Sequence, residues 1–271
     1  FLMPGLDGIS GIDLQSLPIY LLLLMLASLR VGAFLVASPF FGSRMVPLTV
    51  RIVFSIALGV GLVTHIKFPD LEELVGVTLV PIIFQEVFIG LACGMVLNIC
   101  FSSVILAGEK IAATSGLAFA AQIDPVSGAQ SPVISQIFQL FLLILFFSLN
   151  GHLVIFELLF NSFDLVPIGS FYSFDNVVEK AISSSNTIYS NAVIIVLPIV
   201  SILFFMNLGI GFITKSAPQL NLFSFGFPLT ILGTFFALYF SVDALQFVFS
   251  GLIDQAIGFV KSILNVGISN G

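Results

Sequence analysis

Few side chains in this sequence could do catalytic chemistry, and those that could are poorly arranged for it. A serine protease within a membrane needs a nucleophilic serine on one helix and a histidine on another, and Ser115 and His152 formally meet that requirement. The flanking residues do not fit such a protease, however, because Thr114 precedes Ser115 and no oxyanion-hole donor is evident nearby. No Cys/His cluster has the spacing of a metal site. We therefore predict that the chain is not an enzyme and has no catalytic, cofactor-binding or metal-binding residues.

Three ionisable residues stand within apolar segments, where charged side chains are rare and usually functional. They are Arg30, Glu86 and Glu157. In a secondary transporter, Glu86 could bind a proton or a cation. Alternatively, Glu86 forms an ion pair between helices or subunits, for instance with Arg30. The ion pair is the favoured interpretation, because the carboxylates are too scattered along the chain to form a relay.

The segment 108–130 differs from the sequence around it, because its residues are small and weakly polar. Irregular backbone at membrane depth persists only where it is buried in protein or lines a cavity. We therefore predict that 108–125 is a movable seal, with glycines as hinges and with Leu117 and Phe119 excluding water. The alternative is a fixed surface loop between helices. The candidate gating residues are Gly108, Glu109, Lys110, Ile111, Ala112, Ala113, Thr114, Ser115, Gly116, Leu117, Ala118, Phe119 and Ala120.

A second interruption of the apolar pattern lies near residue 218. Pro218 is expected to break or end its helix, because proline lacks the backbone N–H and clashes with the preceding turn. The freed backbone groups need partners, and neighbouring chains are the expected source. The residues of this candidate helix-break and assembly motif are Ala217, Pro218, Gln219, Leu220, Asn221, Phe227 and Pro228.

The composition places these positions in an apolar environment. Only 8% of the 271 residues are charged, against about 25% in soluble domains. Apolar types make up 58% of the chain, and 31 residues are Phe. Too few polar side chains exist to cover a soluble globule, and the apolar content excludes disorder. The net charge of −6 and the lack of a basic cluster argue against nucleic-acid binding.

The apolar runs predict an all-α, integral-membrane-type protein with roughly six long, partly broken helices. A helix needs about 20 mostly apolar residues to cross the hydrocarbon core, and no segment is typical of a strand. The third run is too long for one simple crossing, so we expect Pro81 and the glycines at 90 and 94 to bend or divide it. The expected helical runs are 17–37, 47–66, 71–107, 131–160, 173–214 and 222–266.

The basic residues do not assign a topology to these helices. Cytoplasmic loops of membrane proteins usually carry an excess of Lys and Arg. Here the eight basic residues are spread along the chain, and no alternate set of loops is clearly basic. Either the topology is weakly encoded, or the helices do not cross the bilayer in the ordinary way.

Several of these stretches resemble the FliR/SctT family of type III export-gate proteins. The stretch 217–221, followed by 223–228, is similar to the most specific motif of that family. The segment 108–125 resembles the family's plug loop, and the turn at 38–42 with Pro47 and Arg51 also fits. The resemblance covers nearly the whole chain. The Phe-rich, charge-poor background fits the flagellar branch better than the virulence branch.

The resemblance implies a function that the residues alone do not. Members of this family assemble with FliP and FliQ around an export channel, and FlhB joins them. The plug loop helps to close the channel until flagellar proteins are exported, and the family is not known for catalysis. The resemblance places the chain in the bacterial inner membrane at the flagellar basal body, with lipid as a further partner. It also implies a FliP-like part, 1–172, and a FliQ-like part, 173–271, within one integrated unit.

Overall fold

The computed structural model describes residues 17–42, 46–63, 79–118, 132–170, 174–217 and 225–266. All regular structure in these ranges is helical, which confirms the predicted all-α class. The helices are α1 (Leu17–Ala37), α2 (Leu48–Val63), α3 (Leu79–Ser115), α4 (Val133–Ser148), α5 (Gly151–Leu165), α6 (Phe174–Ser216), α7 (Phe227–Phe240) and α8 (Val242–Val266).

Four of these helices are long and apolar enough to cross a membrane, namely α1, α3, α6 and α8. A fifth span results if α4 and α5 are counted as one broken span. A single helix was expected over 131–160. The chain instead leaves the helical conformation at Leu149 and Asn150, where Asn150 has a φ of 55°. The protein is an all-α membrane protein with broken helices.

The chain forms two compact units, and each is built from separated stretches. The first contains the described residues of 1–95, 157–177 and 263–271, and the second contains those of 96–156 and 178–262. The division into 1–172 and 173–271 was expected from the family resemblance and stays a prediction.

In the first unit, two glycines let α3 approach α1 closely. A Cβ at Gly94 would lie 2.7 Å from the Cβ of Ala37 and 2.8 Å from the carbonyl oxygen of Phe34. A Cβ at Gly90 would collide with the carbonyl oxygen of Arg30. The expectation that these glycines divide the helix is therefore wrong. α3 is continuous over 37 residues, and its glycines serve close packing between helices.

The second unit has an aromatic core and a similar glycine contact. The ring of Phe138 packs edge-on against Phe249, with centroids 5.7 Å apart. A Cβ at Gly108 would lie 2.5 Å from the Cα of Ser135, so only glycine allows α3 and α4 to approach so closely. The Ser135 hydroxyl donates a hydrogen bond of 3.2 Å to the carbonyl of Ile105, which joins the same two helices.

Candidate functional site

The first unit contains a buried ion pair between α1 and α3. Arg30 and Glu86 are both completely buried. Arg30 Nε donates to Glu86 Oε2 over 2.8 Å, and Nη2 donates to Oε1 over 2.9 Å. This bidentate arrangement is the strongest geometry for a guanidinium and a carboxylate. It is also the ion pair that the sequence offered as one interpretation of Glu86.

The other edge of the guanidinium is held by the C-terminal end of α5. Arg30 Nη1 donates to the hydroxyl of Ser162 over 2.9 Å, and Nη2 donates to the carbonyl of Val166 over 2.9 Å. The ring of Phe163 lies 4.0 Å from Cζ, in the position of a cation–π contact. A buried charge is tolerated only when it is paired and hydrogen-bonded, and Arg30 meets both conditions.

A neighbouring amide extends this polar cluster toward the turn that follows α5. Gln85 Nε2 donates to the carbonyl of Ser170 over 2.9 Å. The turn contains Gly169 with a φ of 83°, a value that glycine adopts without strain. These partners could not be predicted from the sequence, because two of them are backbone carbonyls, at Val166 and Ser170. A carbonyl oxygen carries no residue-type signature.

The third ionisable candidate is placed differently. Glu157 is exposed, so the expectation that it is a buried polar residue is wrong. It lies on α5, one helical turn or more from Ser162, and it faces away from the core. Glu86 has both carboxylate oxygens engaged by Arg30. A cation at Glu86 would have to displace a buried guanidinium, so the geometry gives no support to an ion-transport site.

The second unit contains the first part of the predicted gating segment. Irregular backbone was expected over 108–125, and this is wrong for 108–115, which form the last two turns of α3. The helix ends at Gly116, which has a φ of 82° and occupies the left-handed position typical of a helix C-terminus. Leu117 and Ala118 follow and return to helical backbone. The remaining predicted gating residues, Phe119 and Ala120, lie outside the described residues.

Side chains from α6 and α7 hold this end of α3. The carbonyl of Ser115 accepts a hydrogen bond of 3.1 Å from the hydroxyl of Thr230. The carbonyl of Thr114 accepts one of 3.4 Å from Asn207 Nδ2. These bonds satisfy carbonyl groups that every helix C-terminus leaves without an intrahelical donor. Neither donor was predicted from the sequence, because each is a single polar residue in an apolar run.

An aromatic ring completes the end of α3. A Cβ at residue 116 would lie 2.7 Å from Cδ1 of Phe227, so the ring packs directly on the glycine. The structure thus brings together the predicted gating segment and Phe227 of the predicted assembly motif. We call the four residues Gly116, Asn207, Phe227 and Thr230 the α3 clamp.

The rest of the assembly motif is described only at its borders. α6 ends at Ser216, two residues before Pro218, and the N–H of Ala217 donates to the carbonyl of Ile213 over 2.8 Å. Pro228 lies in the first turn of α7, where proline is well tolerated. Pro218, Gln219, Leu220 and Asn221 lie outside the described residues.

Ser115 is held within its own helix and is not arranged as a nucleophile. Its hydroxyl donates to the carbonyl of Ala112 over 3.0 Å, and the side chain is buried. In the described part of the chain, no three His, Cys, Asp or Glu side chains are grouped so that they could bind a metal ion.

Comparison with known proteins gives consistent matches. The sequence model of the family described as "Bacterial export proteins, family 1" matches residues 21–256. The flagellar biosynthetic protein FliR of Escherichia coli (strain K12) is 32% identical over 203 residues, which are 75% of this chain and 77% of that protein. FliR of Bacillus subtilis (strain 168) is 31% identical over 252 residues, 90% of this chain and 96% of that protein. The surface presentation of antigens protein SpaR of Shigella sonnei is 24% identical over 233 residues, 86% of this chain and 90% of that protein.

Proposed function

Because the chain belongs to family 1 of the bacterial export proteins, we propose that it is a non-enzymatic subunit of the flagellar type III protein export gate. In this proposal it forms part of the export channel together with FliP and FliQ, and FlhB joins the assembly. The observation that carries the proposal is the match to flagellar relatives over most of their length, which is 96% for the Bacillus protein.

The lengths of two helices support a role within an assembly. At about 1.5 Å per residue, the 43 residues of α6 extend over roughly 64 Å, and the 37 residues of α3 over roughly 55 Å. The hydrocarbon core of a bilayer is only about 30 Å thick. Lipid alone therefore cannot cover these helices, and apolar faces of partner subunits are the natural cover for the remainder.

Exposed aromatic side chains on three helices support the same conclusion. Phe205 and Phe212 on α6 are each 71% exposed, Phe240 on α7 is 79% exposed, and Phe247 on α8 is 80% exposed. Apolar patches of this kind are characteristic of surfaces that contact lipid or other proteins. We place the chain in the bacterial inner membrane, at the flagellar basal body.

The plug function is assigned to the chain that follows α3. The α3 clamp fixes the helix up to Gly116, so a moving seal has to begin after that residue. Leu117 and Phe119 provide the apolar bulk for closure by excluding water. The small residues of 108–115 then serve to pack α3 closely against its neighbours, as Gly108 does against Ser135.

The helix break at 217–221 is proposed to join the chain to its partners. α6 ends before Pro218, and a break between two apolar helices leaves backbone groups that partner subunits can satisfy. By the same family resemblance, we propose that 1–172 corresponds to a FliP-like part and 173–271 to a FliQ-like part. The exported flagellar proteins are the substrates of the assembled channel.

Native mass spectrometry of the detergent-purified chain, with and without co-expressed FliP, FliQ and FlhB, tests the proposal. We expect a defined complex when the partners are present, because the exposed apolar faces and overlong helices need protein cover. An unrelated membrane protein of similar size, co-expressed in the same way, serves as the control. A stable lone monomer that ignores its co-expressed partners would contradict the proposal.

A further inference from the structure

An apolar groove in the second unit runs along α6 beside the C-terminal half of α3. It has a volume of about 510 Å³, which is within the range of about 300–1,000 Å³ typical of small-molecule sites. Its floor includes Val196 and Val200, and its walls include the exposed side chains of Leu197 and Phe204. Lys110 is the charged residue that lines it.

The groove is long, with Tyr189 toward one end and Lys110 toward the other. Tyr189 and Phe205 line the groove 16 residues apart on α6, which corresponds to about 24 Å along the helix axis. Thr114 contacts Asn207, so Lys110, one turn before Thr114, lies toward the Phe205 end. Each leaflet of a bilayer contributes about half of the roughly 30 Å hydrocarbon core. The groove is longer than that, so one acyl chain fits within it along the whole length of the acyl chain.

Lys110 provides a charge for which the described residues offer no partner. The residue is exposed, and no acidic side chain within the described ranges lies at ion-pair distance from it. Leu106, one turn earlier on α3, lines the same groove, so the methylenes of Lys110 continue an apolar wall and place the ammonium at its end. Its neighbour Glu109 does not line the groove.

From this geometry we propose that the groove is a binding site for one anionic phospholipid. The acyl chain lies along Val193, Val196 and Val200, and the headgroup phosphate pairs with Lys110. This site goes beyond the export function and does not depend on it.

The test uses the full chain, in its native complex if that is the form that purifies. Binding of phosphatidylglycerol and of phosphatidylcholine is measured by native mass spectrometry and by displacement of a fluorescent lipid in neutral-detergent micelles. We expect phosphatidylglycerol to bind more tightly. Lys110→Gln should lower its affinity about five-fold, as expected for the loss of one lysine near an anionic headgroup, and should leave phosphatidylcholine unchanged.

A second variant separates the groove from the charge. Val196→Trp fills the groove and should abolish saturable binding of both lipids. Ile194→Trp is the matched control, because Ile194 is exposed on the same helix and does not line the groove. Lys215→Gln, at the C-terminal end of α6, is the control for charge.

Three results would overturn the proposal. The first is equal affinity for the two lipids, and the second is binding that survives Val196→Trp. In the third, a partner subunit occupies the groove, so that Val196→Trp prevents assembly and no lipid co-purifies. Assembly is measured separately from lipid binding, so a failure of this proposal is distinguishable from a failure of the proposed export function.

Discussion

Arg30 and Glu86 illustrate how a buried charge is made tolerable in an apolar protein. Desolvating two charges costs several kcal/mol each, and their attraction offsets this only when the remaining donors are also satisfied. Here the guanidinium of Arg30 donates its further hydrogen bonds to Ser162 and to the carbonyl of Val166, and the ring of Phe163 covers its face. The cluster therefore fixes the register of α1, α3 and α5 within the first unit.

Removing one member of the pair should be costly, whereas removing both should not. We expect Arg30→Leu to destabilise the purified chain by roughly 3–5 kcal/mol, because Glu86 is left buried and unpaired. The double variant Arg30→Leu/Glu86→Leu should recover most of that loss. Thermal or denaturant unfolding in detergent measures the difference.

Glu157→Gln is the control for this pair of variants. Because Glu157 is exposed, its substitution should change stability by no more than about 0.5 kcal/mol. If Arg30→Leu is as mild as Glu157→Gln, the ion pair does not hold the helices together.

Gly116 is the second residue whose chemistry is specific. We expect Gly116→Ala to destabilise the chain by about 1–3 kcal/mol, because it places a Cβ at positive φ and against the Phe227 ring. Gly116→Ala combined with Phe227→Leu should recover part of the loss, since a smaller side chain relieves the contact. The measurement is the free energy of unfolding in detergent.

Gly211→Ala provides the comparison within a helix. Gly211 lies in α6 with no neighbour within 4 Å of an added Cβ, so alanine there should be neutral or slightly stabilising. Equal effects at 116 and 211 would show that the α3 clamp has no role.

At the level of secondary-structure elements, α3 bears on both interpretations of the segment 108–125, as a movable seal and as a fixed loop. It is one helix of 37 residues, and its end is capped by Thr230 and Asn207 from two other helices. A firmly held helix end is a suitable anchor for a short closing segment. The parts that move and the parts that hold are then separated at Gly116.

A deletion tests whether the chain after α3 closes a pore. Deleting 119–123 should make membranes that contain the assembled complex permeable to ions or small molecules, because the apolar bulk of the seal is lost. Phe119→Leu, which keeps the apolar bulk, is the control. Conductance or dye uptake is measured alongside the amount of complex. A membrane that stays tight while the complex is lost would refute the gating role.

For the whole molecule, the apolar surface that stays exposed on the single chain indicates which surroundings the protein needs. Only 8% of the residues are charged, yet Phe212 on α6, Phe240 on α7 and Phe247 on α8 remain exposed within the single chain. Within the chain, the residues pack into two compact units, and each unit is built from separated stretches. The rest of the apolar surface is available to lipid and to partner subunits.

The break after α6 should matter for assembly more than for the chain itself. We expect Pro218→Ala to reduce co-purification of FliP and FliQ, because a continuous helix would withdraw the backbone groups offered to them. Pro18→Ala is the control, since Pro18 is exposed in the first turn of α1. Quantitative pull-down measures the effect, and an intact complex with Pro218→Ala would count against an assembly role.

The sequence by itself determined the all-α membrane class, the end of α6 before Pro218 and the family. Each of these depends on local patterns, such as long apolar runs, a proline or a short motif. Glu86 and Arg30 were also recognisable, because charges in apolar helices are rare.

Only the tertiary structure decided which groups meet. In the structure Arg30 donates to the carbonyl of Val166, the ring of Phe227 packs on Gly116, and Glu157 is exposed. It also showed that 108–115 is helical and that the glycines at 90 and 94 serve packing. The physical reason is that a small residue suits both a flexible loop and a close helix contact. Which of the two it forms depends on the neighbour that fills the space beside it, and that neighbour is distant in the sequence.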